Sequence, residues 1–469
     1  MTAPGALPRP AGLPDAPPPA GGLATATWSV PHDFGGMTSA LLRRSRILAA
    51  HLDAPVRILT YSPGLDVDEA RRRLTRRGDL VDGVTLHNVW EDLRDLPDEA
   101  LDPRGDEAPG RRPRGRRGEL TREEPDGTGG VRTLVFRRDR SLLAVEERQG
   151  ARRTVATFTR TGRPGRTWPS RRAFHLEWTT QVLPDDPTFV VVDSKVLIRF
   201  FASLRDVPSL RTLHLVHGAH LSTDAQDAHG ELVGRRSRML GVLADYDGVV
   251  LLTPTQEREL SERLGPGVRT FVVPNSTELG VNTALTGRDP ARGVVVAGLH
   301  PRKRIDHAIA AVDAVRRRTG RPLRLDVYGD GPERAALRAL AARAPGVRLR
   351  GHVPGAADRF ADASFMLLTS TSEGMALVLA EAMARGCLPI AYDIRYGPAD
   401  VITHGVDGFL VPAGDTESLA AAIEHVTGLD EATLVPMRQA AVRSAQRFDD
   451  ARVAQRWAEV AAEIANRPR

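Results

Sequence analysis

The stretch FMLLTSTSEGMALVLAEAMARGCLPIAYD, Phe365 to Asp393, holds three elements in succession. FMLLTS is a short apolar run bounded by hydroxyl residues, which predicts a buried strand. MALVLAEAMARG, Met375 to Gly386, is rich in helix formers and closed by glycine, which predicts a helix. LPIAYD then predicts a second buried strand. Strand, loop, helix and strand in this order form the unit of a parallel α/β sheet. Two carboxylates interrupt the apolar run, Glu373 in the loop and Glu381 further on. At about 100° per residue, Glu381 falls two turns on and about 80° around from Glu373, so the pair is expected to line one wall at two depths.

The same grammar continues on both sides. Downstream of Gly293 come GVVVAGLHPRKRIDHAIAAVDAVRRR, LRLDVYGDGPERAALRALAARA, VRLRGHV and DGFLVPAGDTESLAAAIEHV. Upstream lie GLATATWSV (Gly22 to Val30), the glycine loop and helix PHDFGGMTSALLRRSRILAAHL, PVRILTYS, TFVVVDS, RTLHLVHGAHL, YDGVVLLTPTQEREL and VRTFVVPNS. The expected fold is α/β: two Rossmann-like doubly wound domains facing a cleft at the carboxyl ends of their sheets. The expected bounds are a disordered Pro/Gly leader at 1–22, an N-terminal domain at 23–280, a C-terminal domain at 281–445 and a terminal helix at 446–469. From about Arg132 the texture turns to short alternating runs without helix, a β-meander inserted within about 101–175.

The chain has 469 residues, 41% hydrophobic and 26% charged, which is too long for one core. No run reaches the roughly 18 apolar residues of a membrane span, and the opening residues lack the apolar centre of a signal peptide. The expected location is the cytoplasm, with the inner membrane face as the alternative. One cysteine, Cys387, excludes an internal disulfide and a thiolate metal cluster. The net charge is +6, and the excess is concentrated: between Leu101 and Arg172 arginines outnumber acids nearly two to one. That suits either a polyanionic partner or a solvated loop. Nucleic acid is disfavoured, because aromatic residues are only 5% and no stacking motif accompanies the arginines.

Only Lys195 and Lys303 are lysines. Lys303 lies between a strand and a helix N-terminus, where the dipole favours an anion rather than a cation, so a diphosphate is an expected ligand. Gly374 and the backbone N–H groups of Met375, Ala376 and Leu377 are expected to form the free N-terminus of the glutamate helix, an anion site in its own right. Structural readings compete with each of these: a helix-favouring charge for Glu373, a surface residue for Glu381, a solvated lysine, and turn glycines at Gly35, Gly36 and Gly329.

Taken in order, GLHPRKRID around Lys303, YGDGPER at Tyr328–Arg334 and the E-x7-E frame of Glu373 and Glu381 resemble the retaining glycosyltransferases of family 4, which have the GT-B fold. LVHGAH, GGMTSALLRRS, YDIRYGPADVITHGVDGFLVP and the meander look most like bacterial enzymes that glycosylate teichoic acid, or adhesins of the accessory secretion route. The resemblance implies that Lys303, with Arg302 beside it, holds the donor diphosphate. Glu381 would grip the ribose hydroxyls, Glu373 would attend the transferred sugar, and His217 would reach that sugar from the N-terminal domain. Gly35, Gly36, Gly329 and Gly374 would let backbone approach the donor. It further implies a UDP-sugar donor, no metal, and a polyanionic or protein acceptor. The meander would serve as a site for a homo-oligomer or partner subunit. Lipid-linked or small-molecule acceptors, and a catalytically silent scaffold subunit, are the other readings. One departure bears on the last: the family's arginine in an A-R-L or G-R-L triplet is replaced in Ala297-Gly298-Leu299, leaving Arg302 or Arg304 to reach the same place.

Overall fold

The computed structural model describes residues 21–466 apart from 102–111, 128, 151, 184–186, 226, 235, 278 and 280–283. Nearly all of the expected leader, and the expected domain boundary at 280–281, lie outside the described residues. The described residues fall into two compact units. One comprises 216–241 and 249–460; the other comprises 21–215, 242–248 and 461–466.

In the first unit six parallel strands run in the order Val347–Gly351, Arg324–Tyr328, Arg292–Val296, Phe365–Leu368, Leu388–Asp393 and Phe409–Pro412. Phe365–Leu368 is buried at every position, as a strand covered by helices on both faces must be. The chain reverses its direction of travel across the sheet between Arg292–Val296 and Phe365–Leu368. At such a switch point the loops leaving two adjacent strands part to opposite faces and leave a crevice. Those two loops carry Lys303 and Glu373.

A seven-stranded sheet has the order Thr270–Val272, Gly248–Leu251, Leu210–Val216, Thr188–Val192, Gly22–Thr27, Val56–Thr60 and Val84–Asn88. Val30, Leu41, Leu42, Ile58, Leu74 and Leu86 form a core on one face of its second-unit part. The expected α/β reading holds throughout, and no helix among the described residues is long and apolar enough to cross a membrane.

The inserted meander is a five-stranded antiparallel sheet, Thr121–Pro125, Val131–Phe136, Leu142–Gln149, Arg152–Phe158 and Pro164–Trp168. It starts one strand earlier than the sequence pattern suggests. TREEP is an edge strand that buries no residue fully, so it lacks the apolar alternation that reveals a strand. Leu134, Phe136, Leu142 and Phe158 form its small core. Many of its arginines are neutralised internally. Arg153 and Arg171 converge on buried Glu146, Arg166 forks onto Glu177 at 2.5 and 2.6 Å, and Arg122 binds Glu119 at 2.5 Å. Arg138 reaches Glu91 at 2.6 Å and Asp68 at 2.8 Å, and Arg160 reaches Asp98 at 3.1 Å. The formal excess of arginine therefore overstates the free positive charge of this sheet.

Candidate functional site

After strand Arg292–Val296 the chain passes through Ala297-Gly298-Leu299 into a 3-10 turn, Pro301–Lys303, and then helix Ile305–Thr319. After Phe365–Leu368 it passes through Thr369–Ala376 into helix Leu377–Ala384. Hydrogen bonds lace the two loops together. Thr371 N–H donates to the Arg302 carbonyl at 2.8 Å, and the Thr369 hydroxyl donates to the Lys303 carbonyl at 2.8 Å. Sequence reading passed over these threonines, although their alternation with serine at a strand end was the available signal.

The clamp brings cations and carboxylate together. Lys303 Nζ pairs directly with Glu373 Oε1, and both side chains are largely buried. Arg302 Nη1 donates to the Ser372 carbonyl at 3.1 Å and lies 3.4 Å from Glu373 Oε2. Arg304 turns elsewhere: its guanidinium binds Asp306 at 2.8 and 3.1 Å and contacts His307. Of the two arginines weighed as stand-ins at this site, only Arg302 joins the lysine.

The glutamate helix starts later than its composition implies. It spans Leu377–Ala384, and Ala376 before it is left-handed, at φ 55° and ψ 63°. Leu379 N–H bonds back to the Ala376 carbonyl at 2.9 Å, so the free helical donors are those of Leu377 and Val378, and Met375 and Ala376 precede the helix as buried residues. Glu373 thus stands outside the helix, and the 80° wheel angle to Glu381 does not apply. Glu381 is half-buried on the helix, and Arg385 Nη1 donates to its main-chain carbonyl at 3.3 Å. A left-handed alanine costs about 1 kcal/mol or more, and such strain persists only where the surroundings over-determine it.

Gly374 explains part of that constraint. A Cβ there would overlap the His217 carbonyl and lie 3.2 Å from Gly218 Cα, so backbone meets backbone at this point. His217, expected on the other domain, belongs to the same compact unit as Lys303. The neighbouring Gly218 carbonyl is held by Gln256 Nε2 at 3.0 Å. His220 is fully buried and stacks on Tyr396, with ring centroids 5.4 Å apart. Burial, reinforced by Arg263, Arg236 and Arg395, pushes its pKa down to about 4, so it is a neutral structural ring at ordinary pH.

Gly329 is also dictated by packing. Its φ is +144°, and a side chain would overlap the Ala297 carbonyl, so the YGDG turn lies tight against the Lys303 loop. Gly298 is different. It has no positive φ, and a Cβ would meet the flexible His300 ring at 3.3 Å, with the Asp330 carbonyl at 4.0 Å. Gly35 and Gly36, in the other unit, cap and open helix Gly36–Leu52. Neither has a positive φ, and nothing lies within 4 Å of an added Cβ at either. Beside the glutamate loop opens a cavity of about 550 Å³ lined by Ser370, Thr371, Asp224, Asp393, Arg395 and Asp400 among others. Among the described residues no group of three His, Cys, Asp or Glu is arranged to hold a metal ion.

Residues 291–428, which contain this entire loop pair, match the family model described as Glycosyl transferases group 1. The chain carries a group 1 glycosyltransferase domain. The chain is 37% identical over 229 residues to an exopolysaccharide phosphotransferase of Streptomyces coelicolor, covering 47% of this chain and 24% of the relative. A poly(glycerol-phosphate) α-glucosyltransferase of Bacillus subtilis is 22% identical, over 61% of this chain and 42% of the relative. The chain therefore spans less than half of the length of each of these two relatives. Among solved structures, Staphylococcus aureus TarM, in complex with fondaparinux, α-GlcNAc-glycerol and UDP, superposes with a TM-score of 0.71 at 15% identity, over 95% of this chain and 99% of that one. The pneumococcal O-GlcNAc transferase GtfA, in complex with UDP and GlcNAc, superposes with a TM-score of 0.69 at 17% identity, over 95% and 99%. The fold around the glycosyltransferase domain is GT-B.

Proposed function

We propose that the protein is a retaining glycosyltransferase that moves glucose or N-acetylglucosamine from a UDP-sugar to a hydroxyl of a cell-wall polymer such as teichoic acid. The observation that carries this reading is the Lys303–Glu373 pair, joined by Arg302, at the switch point of a parallel sheet. In the free protein Glu373 occupies the cations. A nucleoside diphosphate entering the crevice would take over Lys303 and Arg302 and leave the Glu373 carboxylate to the sugar. Leu377 and Val378, at the positive end of their helix, offer N–H groups to the same anion.

In the transfer, the bond between the anomeric carbon and the β-phosphate oxygen breaks and its electron pair goes to UDP. The acceptor oxygen forms the new bond on the same face, and its proton passes to the departing phosphate oxygen. Lys303 and Arg302 stabilise the charge that develops on that leaving group, and Glu373 favours the electron-poor sugar carbon. Glu381 takes the ribose hydroxyls. No divalent metal is needed on this reading, because fixed cations and a helix terminus supply the neutralisation. The hydroxyl- and carboxylate-lined cavity beside Ser370 and Thr371 suits a polyol, which supports a hydroxylated acceptor.

The test is release of UDP from UDP-glucose and UDP-N-acetylglucosamine, with poly(glycerol phosphate), a serine-rich peptide or a lipid-linked sugar as acceptor, with and without chelator. Turnover on the polymer, unaffected by chelator, is expected. Turnover on the peptide alone would transfer the reading to protein O-glycosylation, which the likeness to GtfA favours. Binding of UDP-sugar with no turnover on any acceptor would favour the scaffold reading that Gly298 raised.

A further inference from the structure

Arg236 is an unusual residue for its place. It opens the short helix Arg236–Leu240 and is 8% exposed, yet its guanidinium meets no carboxylate among the described residues. Among the described residues its side chain makes a single hydrogen bond, from Nη1 to the Met239 sulfur at 3.6 Å, which is a weak acceptor. Burial holds its pKa below the ordinary arginine value, and no acidic neighbour offsets this. Other arginines of this unit are engaged differently. Arg263 is spent on the carbonyls of Ala228 and Gly230 at 3.0 and 2.8 Å, and Arg395 on the Ala225 carbonyl and Glu259. Desolvating a cation without a counter-charge costs several kcal/mol, so an anion that binds such a cation relieves that cost.

Its position says where that anion would sit. Arg236 Nη2 lies 3.4 Å from the point a Cβ on Gly218 would occupy, and Gly218 Cα lies 3.2 Å from the corresponding point on Gly374. The guanidinium and the loop that carries Glu373 therefore both lie close beside Gly218. The absence of a side chain at Gly218 leaves that space open. Arg236, Gly218, Gly374 and Lys303 all lie in one compact unit.

We infer that Arg236 is a second phosphate-binding cation of the donor site, reaching past Gly218 to the diphosphate and supplying the guanidinium that Gly298 does not. This rests on the donor-site reading above. A planar guanidinium can grip two phosphate oxygens at once, where Lys303 acts as a point charge.

The test uses the full chain, inorganic pyrophosphate, UDP and uridine as titrants, and Arg236→Met and Arg236→Lys as variants. Binding and thermal unfolding are both measured. In Arg236→Met, affinity for pyrophosphate and UDP is expected to fall tenfold or more, with uridine unchanged. The melting temperature of the ligand-free variant is expected to stay level or rise, since an unpaired buried charge has gone. Arg236→Lys should fall between the two proteins in pyrophosphate affinity, which keeps the inference testable if the methionine variant does not fold. Unchanged pyrophosphate affinity in either variant would overturn it. So would a lowered melting temperature with equal losses for UDP and uridine, because a purely structural arginine behaves that way. If the wild-type protein binds neither UDP nor pyrophosphate, the donor-site reading itself falls. Binding by the wild type with undiminished binding by the variants removes only the role of Arg236.

Discussion

The inserted sheet and the loop pair around Lys303 both concentrate basic residues, and they use them in opposite ways. In the sheet the cations are cancelled at home: Glu146 takes two arginines, Glu177 takes both arms of Arg166, and Glu119 is held at a pKa of about 2 by Arg122. Around Lys303 two cations, Lys303 and Arg302, share a single carboxylate, Glu373, and Arg236 of the same unit meets no carboxylate among the described residues. The lesson is that charge density marks a binding site only after internal pairs are subtracted. A region with fewer basic residues can hold more unmet positive charge.

The largest effect expected from this contrast is at Lys303. Replacing it with alanine should lower the rate of UDP release by about 10²–10³-fold, because a fixed charge facing the leaving group is lost. Unfolding should barely move, since the residue's own partner, Glu373, keeps Arg302. Unchanged turnover would break the comparison at its functional end. Glu146→Gln should do the reverse. Glu146 is 3% exposed and receives Arg153 at 3.0 Å and Arg171, so the substitution leaves two arginines without their carboxylate. A loss of about 3 kcal/mol in stability is expected from denaturant unfolding, with turnover per folded molecule preserved. Loss of activity without loss of stability would show that the sheet's charges are functional after all.

How much of this was legible beforehand follows the same division. The two strand–helix units that carry Lys303 and Glu373, and the meander, were readable, because buried strands and glycine-ended helices leave periodic traces; the direct Lys303–Glu373 pair was not anticipated. Three further things were not. The edge strand TREEP has no apolar face to display. The late start of the glutamate helix depends on a left-handed Ala376, a conformation no propensity scale assigns to alanine. Gly374 and Gly35 look alike as letters, yet a Cβ added to the first would meet the His217 backbone and one added to the second would meet nothing within 4 Å, and only tertiary packing separates them. Arg236 escaped for a similar reason: burial without a partner is invisible in a sequence with so many arginines.

Acid provides a smaller and separate probe of the crowded cations. His220 has its pKa held at about 4 in the folded protein, by burial first and then by Arg263, Arg236 and Arg395, against about 6.5 when unfolded. The folded pKa is the lower one, so the unfolded chain binds the proton more readily. Stability from this residue is complete above about pH 6.5 and is lost as the pH falls toward 4. His175, with its pKa at about 3, adds in the same direction. His220→Phe should flatten part of that acid limb in urea midpoints measured from pH 7 to 4. An identical limb in the variant would show that His220 does not contribute to the loss of stability in acid.

The smallest structural effect is expected at Gly298, and it sharpens the comparison most directly. Unlike Gly329 and Gly374, this glycine is not imposed by close backbone: its φ is not positive, and a new side chain meets the movable ring of His300 at 3.3 Å, with the Asp330 carbonyl further off at 4.0 Å. Gly298→Arg should therefore fold, with stability changed by less than about 1 kcal/mol. It would add a further cation to a loop pair in which Lys303 and Arg302 already share one carboxylate, Glu373. If the positive charge there exists to receive a diphosphate, pyrophosphate should bind several-fold more tightly to the variant at low salt, and the gain should shrink as salt is raised. If Arg236 already fills the second cation's place, the gain in Gly298→Arg should be larger in the Arg236→Met background than in the wild type, a non-additivity readable in a double-mutant cycle. Equal gains in both backgrounds would mean that the two arginines address different anions.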